Sequence, residues 1–320
     1  MSRRPLSFFG LQGSHDLAER VAGRLEIALA QHEERNFEDG EHKTRSLQNV
    51  RGHDVFVLHT LHSDANESGN DKLCRLLFFC GALRDAGAER VTAVTPYLCY
   101  ARKDRRTKPN DPIITRYVAA MFEALQVSRV IALEVHNVAA FENAFRCPTW
   151  HIDSAPLFAA HFAPLLRGDP VVAVSPDAGG AKRAEQFRQA LERLIGKDVG
   201  SAYMEKYRSS GVVSGELLVG DVRGKVAVIV DDLISTGGTL VRAAKACRAA
   251  GAVRVFAAAA HGLFVDGATE LFATPTLDGI VVANTVPPFR VPPEMVARRL
   301  TVLDASDVIA RAIAACHDAS

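Results

Sequence analysis

Residues 226–239 read VAVIVDDLISTGGT, and this stretch decides the fold. An apolar strand runs into Asp231 and Asp232, then into Ser235-Thr236-Gly237-Gly238-Thr239, then into a helical pattern. The C-terminal end of a strand is where open α/β sheets bind ligands. Glycines let backbone N–H groups converge on a phosphate, and a helix N-terminus adds positive potential. Thr236 and Thr239 add hydroxyl donors, and two adjacent carboxylates can accept from the vicinal hydroxyls of a sugar. The loop is therefore shaped for a sugar phosphate, with the acids on the ring and the loop on the phosphate.

Outward from this stretch the same alternation recurs. Short apolar runs at 6–9, 54–59, 90–95, 129–133, 171–174, 225–230, 254–260 and 279–283 read as strands. Helical patterns fall between them, as at 15–30, 113–125, 181–194 and 239–249. Strands buried on both faces with helices between them mean an α/β chain with largely parallel sheets. Residues 84–94, RDAGAERVTAV, match residues 248–258, RAAGAVRVFAA. Upstream, Val50-Arg51-Gly52 matches Val222-Arg223-Gly224 in the same order. Two ordered matches imply two copies of one α/β unit, and 320 residues exceed what one core usually supports. The expected domains are residues 1–150 and 151–320, with the boundary near Trp150. At the place of the acid pair the first copy has His59-Thr60-Leu61-His62-Ser63, so only the second domain should hold the sugar.

Net charge is +1, from 38 basic and 37 acidic residues, which favours neither nucleic acid nor an anionic membrane as partner. None of the six cysteines is spaced as C-x-x-C, so no zinc ribbon or thioredoxin-like site is signalled. Reduced thiols and a cytoplasmic location are expected. The apolar run at the start is too short for a signal-peptide core, and no run is long enough to span a bilayer.

The first half carries motifs of its own. Asn36-Phe37-Glu38-Asp39-Gly40-Glu41 is a polar turn around one aromatic. Pro96 to Arg106 follows a strand and includes Arg102, Lys103 and Asp104. Residues 132–136, ALEVH, end another strand at His136. In the second half, residues 175–183, SPDAGGAKR, form a further glycine-bearing strand-to-helix joint containing Asp177. Glu205-Lys206-Tyr207-Arg208 opens a small-residue loop over 209–215. Phe37 offers a stacking face, Asp39 and Glu41 offer acceptors for an exocyclic amine, and Arg102 and Lys103 offer cationic grips for phosphates.

In order and spacing this set resembles the phosphoribosyl diphosphate synthetase family (ribose-phosphate diphosphokinase) over almost the entire chain. The sugar loop by itself also resembles that of type I phosphoribosyltransferases. The resemblance implies two similar phosphoribosyltransferase-like domains and transfer of the diphosphoryl group of ATP to ribose 5-phosphate. It implies an ATP site of Phe37, Asp39, Gly40, Glu41, Arg102, Lys103 and Asp104. It implies a ribose 5-phosphate site of Arg208, Asp231, Asp232, Ser235, Thr236, Gly237, Gly238 and Thr239. Lys206 and Arg208 become the catalytic cations, on a loop closing over the transferring group. His136 and Asp177 become ligands of Mg²⁺. The Phe37 turn would reach the nucleotide of a neighbouring subunit, which implies a homo-oligomer.

The chain departs from that family's pattern in several places. Glu134 stands where Asp is usual, Tyr207 replaces the middle cation of Lys-Arg-Arg, and Ser235 replaces Asp in many members. The stretch 62–72 is longer and more polar than the usual turn. The C-terminal residues lack the serine-rich tail tied to regulation in many members. Two rivals remain. A non-catalytic associated subunit would be signalled by loss of Lys206, Arg208 or the acid pair. A phosphoribosyltransferase for a base would need no ATP site.

Overall fold

The computed structural model describes residues 4–209 and 212–318, with the side chains of residues 206–216 outside the described set. The chain divides into two compact units, residues 1–152 with 305–320, and residues 153–304.

Unit 1 runs β1 (Leu6–Gly10), α1 (His15–Arg24), β2 (His32–Asn36), β3 (His42–Ser46), β4 (Asp54–Leu58), α2 (Gly69–Asp85), β5 (Arg90–Thr95), α3 (Ile114–Ala124), β6 (Arg129–Leu133), α4 (Val138–Ala144) and β7 (Thr149–Ile152). Its main sheet has the order β1-β4-β5-β6-β7 and is parallel throughout. Strands β2 and β3 form a separate antiparallel hairpin. Every residue of β4 is buried, as the apolar run Val55–Leu58 requires of a strand covered on both faces.

Unit 2 runs α5 (Ala155–Leu166), β8 (Val171–Ser175), α6 (Ala181–Ile195), β9 (Gly200–Ser209), β10 (Val212–Val219), β11 (Val226–Ile234), α7 (Gly238–Ala249), β12 (Arg254–Gly262), α8 (Thr269–Ala273), β13 (Gly279–Ala283), α9 (Pro293–Arg299) and β14 (Leu300–Leu303). Its sheet order is β10-β9-β8-β11-β12-β13-β14, parallel except for the β9–β10 hairpin at one edge.

The two sheets repeat one topology. Strands β8, β11, β12, β13 and β14 stand in the order of β1, β4, β5, β6 and β7. The sequence repeat marks equivalent joints. Gly87 (φ +88°) and Gly251 (φ +96°) follow α2 and α7 in the left-handed region, where a side chain is disfavoured. Gly52 N–H donates to the Gly87 carbonyl at 2.9 Å, and Gly224 N–H donates to the Gly251 carbonyl at 2.9 Å. Arg84 Nη1 donates to the carbonyls of Ala88 and Glu89, and Arg248 Nη1 to those of Ala252 and Val253.

Three expectations change. Residues 305–320 do not belong with unit 2 as the 151–320 reading had it. Helix α10 (Ser306–Asp318) buries Ile309, Ala310, Ala312, Ile313 and Cys316 and packs on α1 and β7 of unit 1. There His317 Nδ1 meets the fully buried Asp54 carboxylate at 2.7 Å, and Arg129 Nη1 donates to the Cys316 carbonyl at 3.3 Å. The helix expected over 15–30 stops at Arg24, because Glu26 turns to φ +57° and Ala30 N–H donates to the Phe8 carbonyl instead. Of the loop expected over 209–215, residues 210 and 211 lie outside the described residues and the rest is strand: β9 and β10 pair antiparallel, with a register shift between Val213 and Gly215. Among the described residues no helix is long and apolar enough to cross a membrane, and all six cysteines are free thiols.

Candidate functional site

Strand β11 continues through both acids to Ile234, beyond the Val230 end read from the apolar run. Asp232 is buried, Asp231 is partly exposed, and the Asp232 N–H donates to Asp231 Oδ1 at 2.9 Å. Burial, then the adjacent Asp232 carboxyl, push the Asp231 carboxyl well above the usual carboxylate range, while the Arg183 guanidinium acts the other way. Arg183 Nη1 lies 3.6 Å from Asp231 Oδ1 and 3.8 Å from Asp232 Oδ1. Sequence reasoning gave Arg183 no role; its place in the 175–183 joint, one turn into a helix beside the acid-bearing strand, was the available signal.

After β11 the chain is pinned from behind. The Ile234 carbonyl accepts from the N–H groups of Leu263 and Phe264 at 2.9 and 3.1 Å, and the Ser235 carbonyl accepts from Val265 N–H at 3.1 Å. Gly237 takes φ +83°, and a Cβ there would come within 2.7 Å of Leu271 Cβ, so position 237 needs glycine on both counts. Helix α7 then starts with no side-chain cap and no acid in its first turn. Its leading N–H groups carry the partial positive charge of the helix end. Thr239 Oγ1 accepts from Arg242 Nη2 at 3.3 Å, keeping its own proton to donate. Ser235, Thr236, Gly237, Gly238 and Thr239 thus sit together with the acid pair at one strand end, as the sequence implied.

The neighbouring β8-to-α6 joint places Asp177. Ser175 Oγ donates to the Asp177 carbonyl at 2.6 Å, and Asp177 Oδ1 accepts from Gly180 N–H at 3.0 Å. A Cβ on Gly180 would lie 2.7 Å from Ser175 Oγ. One Asp177 oxygen is committed to this turn, and a carboxylate oxygen is the kind of ligand a hard cation prefers. Among the described residues no group of three His, Cys, Asp or Glu side chains forms a self-sufficient metal site.

In unit 1, Phe37, Asp39, Gly40 and Glu41 form the tip of the β2–β3 hairpin. Phe37 N–H donates to the Glu41 carbonyl at 2.8 Å, Gly40 N–H to the Phe37 carbonyl at 3.1 Å, and Glu41 N–H to Asp39 Oδ1 at 3.0 Å. Phe37 is exposed, and the Arg35 guanidinium stands 5.0 Å from its ring centroid. Arg102 and Lys103 are exposed beyond β5. Asp104 is fixed by Asn137 Nδ2 at 2.7 Å, and Asn137 also caps α4 by accepting from Ala140 N–H at 3.2 Å. His136 is exposed beside Asn137, so Asp104 and the His136 segment share the C-terminal ends of β5 and β6. Glu134 is buried, at φ +46°, and its N–H is spent on the Ile152 carbonyl at 2.9 Å. The side chains of Lys206 and Arg208 lie outside the described residues; their backbones are on β9, opposite Glu216 and Val213.

Comparison with known proteins agrees with this geometry. A family model described as the N-terminal domain of ribose phosphate pyrophosphokinase matches residues 6–125. One described as a phosphoribosyl synthetase-associated domain matches residues 214–320. The chain is 33% identical over 319 residues to ribose-phosphate pyrophosphokinase 1 of Streptococcus pyogenes serotype M3, covering 99% of this chain and 96% of that one. It is 33% identical over 310 residues to the ribose-phosphate pyrophosphokinase of Fusobacterium nucleatum, covering 96% and 94%. Its fold matches the crystal structure of phosphoribosylpyrophosphate synthetase from Mycobacterium smegmatis at a TM-score of 0.87 and 30% identity, covering 99% of this chain and all of that one. With the duplicated sheets, the acid pair and the open loop already in place, these matches mean that the chain belongs to the ribose-phosphate pyrophosphokinase family.

Proposed function

We infer that the chain is a ribose-phosphate diphosphokinase, moving the β,γ-diphosphoryl group of ATP to the anomeric hydroxyl of ribose 5-phosphate to give phosphoribosyl diphosphate and AMP. The observation that carries this reading is the uncapped N-terminus of α7 beside the Asp231–Asp232 pair. The N–H and hydroxyl groups of residues 235–239 hold the 5-phosphate, and the two carboxylates accept from the ring hydroxyls. With the ring held at both ends, the anomeric oxygen faces one direction only. It attacks the β-phosphorus, the bond from that phosphorus to the α,β-bridging oxygen breaks, and AMP leaves. Positioning and charge stabilisation carry such a transfer.

Phe37 stacks on the purine, and Asp39, Gly40 and Glu41 form the edge that meets its exocyclic amine. Arg102 and Lys103 grip the phosphates, with Asp104 ordering their segment through Asn137. Lys206 and Arg208 meet the charge that develops on the transferring group, and Arg208 also contacts the sugar phosphate. Asp177 and His136 would each offer a ligand to Mg²⁺, whose charge would screen the triphosphate. Asp177 offers the oxygen such a cation prefers, and His136 the less usual nitrogen. The Phe37 turn serves the nucleotide of a neighbouring copy, so the working protein is a homo-oligomer with a shared ATP site.

The rival reading is a non-catalytic associated subunit. Retention of Lys206, Arg208, Asp231 and Asp232 supports the enzyme instead. Incubation with ATP, magnesium and ribose 5-phosphate decides between them: AMP and phosphoribosyl diphosphate should form in equal amounts. No AMP from folded protein would remove the enzymatic reading.

A further inference from the structure

Helix α2 carries two cations on its buried side. Lys72 is fully buried and bonded to Asp64, and Arg75 is 3% exposed. Arginine keeps its charge inside a protein, so a buried guanidinium must find its partners there. Arg75 Nη2 donates to Asn36 Oδ1 at 2.7 Å and to Glu67 Oε1 at 2.5 Å, and Nε donates to the same Glu67 oxygen at 3.1 Å. Nη1 pairs with Glu34 Oε2 at 3.5 Å. Glu34 is held in turn, its Oε1 accepting from Gln12 N–H at 2.7 Å and lying 2.9 Å from His32 Nε2.

These partners come from two directions. Glu34 and Asn36 are on β2, and Asn36 is the last residue before Phe37. Glu67 is in the 62–72 stretch, the polar insertion that no other part of the site uses. The β2–β3 hairpin is not hydrogen-bonded to the main sheet, and an isolated two-stranded hairpin is marginal in water. Its direction is therefore set by what ties it to α2. One tie is the His42–Phe78 ring contact at 5.7 Å, which is half exposed at Phe78. A second is the contact of His32 with the buried Phe79 ring at 5.7 Å, and Gln12 N–H adds a bond to Glu34. The tie that is polar, buried and directional towards Asn36 is the guanidinium.

We propose that Arg75 is the positioning residue of the nucleotide-binding turn: it fixes Asn36 at the root of the turn, with Glu67 of the 62–72 insertion as its counter-ion. This rests on the reading of residues 37–41 as the purine-binding edge. A planar fork with two donors on one side defines an angle as well as a distance, which a lysine ammonium does not. The insertion thus has a task, since its carboxylate accepts from Nε and Nη2 and leaves the other Nη2 proton for Asn36 on β2.

Two variants test this. Asn36→Ala removes the acceptor at the turn and leaves both ion pairs of Arg75 intact; Arg75→Lys keeps the charge and loses the fork. In both, the Phe37 and Gly40 amides should exchange with solvent faster, and the Michaelis constant for ATP should rise about tenfold, the size of one lost charge-assisted hydrogen bond. The constant for ribose 5-phosphate and the turnover at saturating ATP should stay within about twofold, since the sugar loop is in the other unit. Unchanged amide exchange in Asn36→Ala overturns the proposal. So does a rise in both Michaelis constants together, which would mark general loosening. If Arg75→Lys fails to fold, Asn36→Ala decides alone. If the unmodified protein makes no AMP, the activity reading falls, and amide exchange still settles the role of Arg75.

Discussion

Helices α2 and α7 follow equivalent strands in the two units and open on opposite chemistry. Ten residues separate β4 from α2, and the amides of Ser68, Gly69 and Asp71 are all taken by side chains. Ser68 Oγ accepts from Asp71 N–H, Asp71 Oδ2 accepts from Ser68 N–H at 2.8 Å, and Gly69 N–H is taken by Ser63 Oγ at 2.9 Å. Three residues separate β11 from α7, where no side chain caps the helix and no acid occupies the first turn. One end has been closed by its own residues, so it is stable and inert. The other leaves its amides without a side-chain cap. Of two copies of one unit, the copy that gives up its capping stabilisation is the one proposed to hold the sugar phosphate.

The largest test lies in the β9–β10 hairpin, which stands in unit 2 where the β2–β3 hairpin stands in unit 1 but, unlike it, pairs with the main sheet. Lys206→Ala should lower turnover by about 10²–10³ with little change in either Michaelis constant, because a cation that meets developing charge acts on the transition state. Steady-state kinetics at saturating magnesium would show it, and near-normal turnover would reduce the hairpin to a surface feature.

Next come the acids and the open helix end. Asp231→Ala should weaken ribose 5-phosphate binding by about 1–3 kcal/mol through lost hydrogen-bond acceptors, with ATP binding little changed. Thr239→Asp gives α7 the acid that α2 has, and should raise the Michaelis constant for the sugar about tenfold by repelling the phosphate. Separate titration of each ligand reads both; equal losses for sugar and nucleotide would argue against a dedicated sugar loop.

The converse change belongs to unit 1. Ser68→Ala opens the α2 capping box and should cost about 1 kcal/mol of stability. Denaturant melts would register the loss while sugar affinity stays the same.

The smallest effect is on acid stability. His59 is fully buried, its Nδ1 lies 3.0 Å from Ser14 Oγ, and Ser14 Oγ accepts from Thr60 N–H at 2.9 Å. Burial, then Lys72 and Arg75, hold the ring well below its ordinary range, so it is neutral in the fold. Above the unfolded value near 6.5 both states are neutral. Below it the unfolded chain takes a proton that the fold refuses, so stability falls as the pH drops. His59→Asn should flatten the stability profile between about pH 6.5 and 5. An unchanged slope would mean that His59 is protonated without cost.

Much of this was legible because apolar strands and glycine joints advertise themselves. The runs at 54–59 and 226–230 and the repeat at 84 and 248 all mark real strands and equivalent joints. The hairpins were not legible. Residues 32–36, HEERN, and 42–46, HKTRS, have no alternation of apolar and polar side chains, and their strand form comes from pairing with each other. In the site, the Asp231–Thr239 loop is local in sequence and could be read whole. Arg183 and Arg75 act across gaps of 48 and 39 residues, from Arg183 to Asp231 and from Arg75 to Asn36. A faint signal existed for Arg75, which lies one helical turn before the buried Phe79.

The return of α10 to the first unit orders events during synthesis. Residues 153–304 form a continuous stretch and can close on themselves as soon as they emerge. Unit 1 emerges earlier, yet the α1 and β7 surfaces that α10 covers, and the buried Asp54 carboxylate that His317 meets, wait for residues 305–318. The unit translated first is therefore completed last; of the two partners of Asp54, Arg90 and His317, only Arg90 is at hand until then. A chain ended at Asp304 should already hold the sugar loop in its final form while its N-terminal unit lacks the cover that α10 gives.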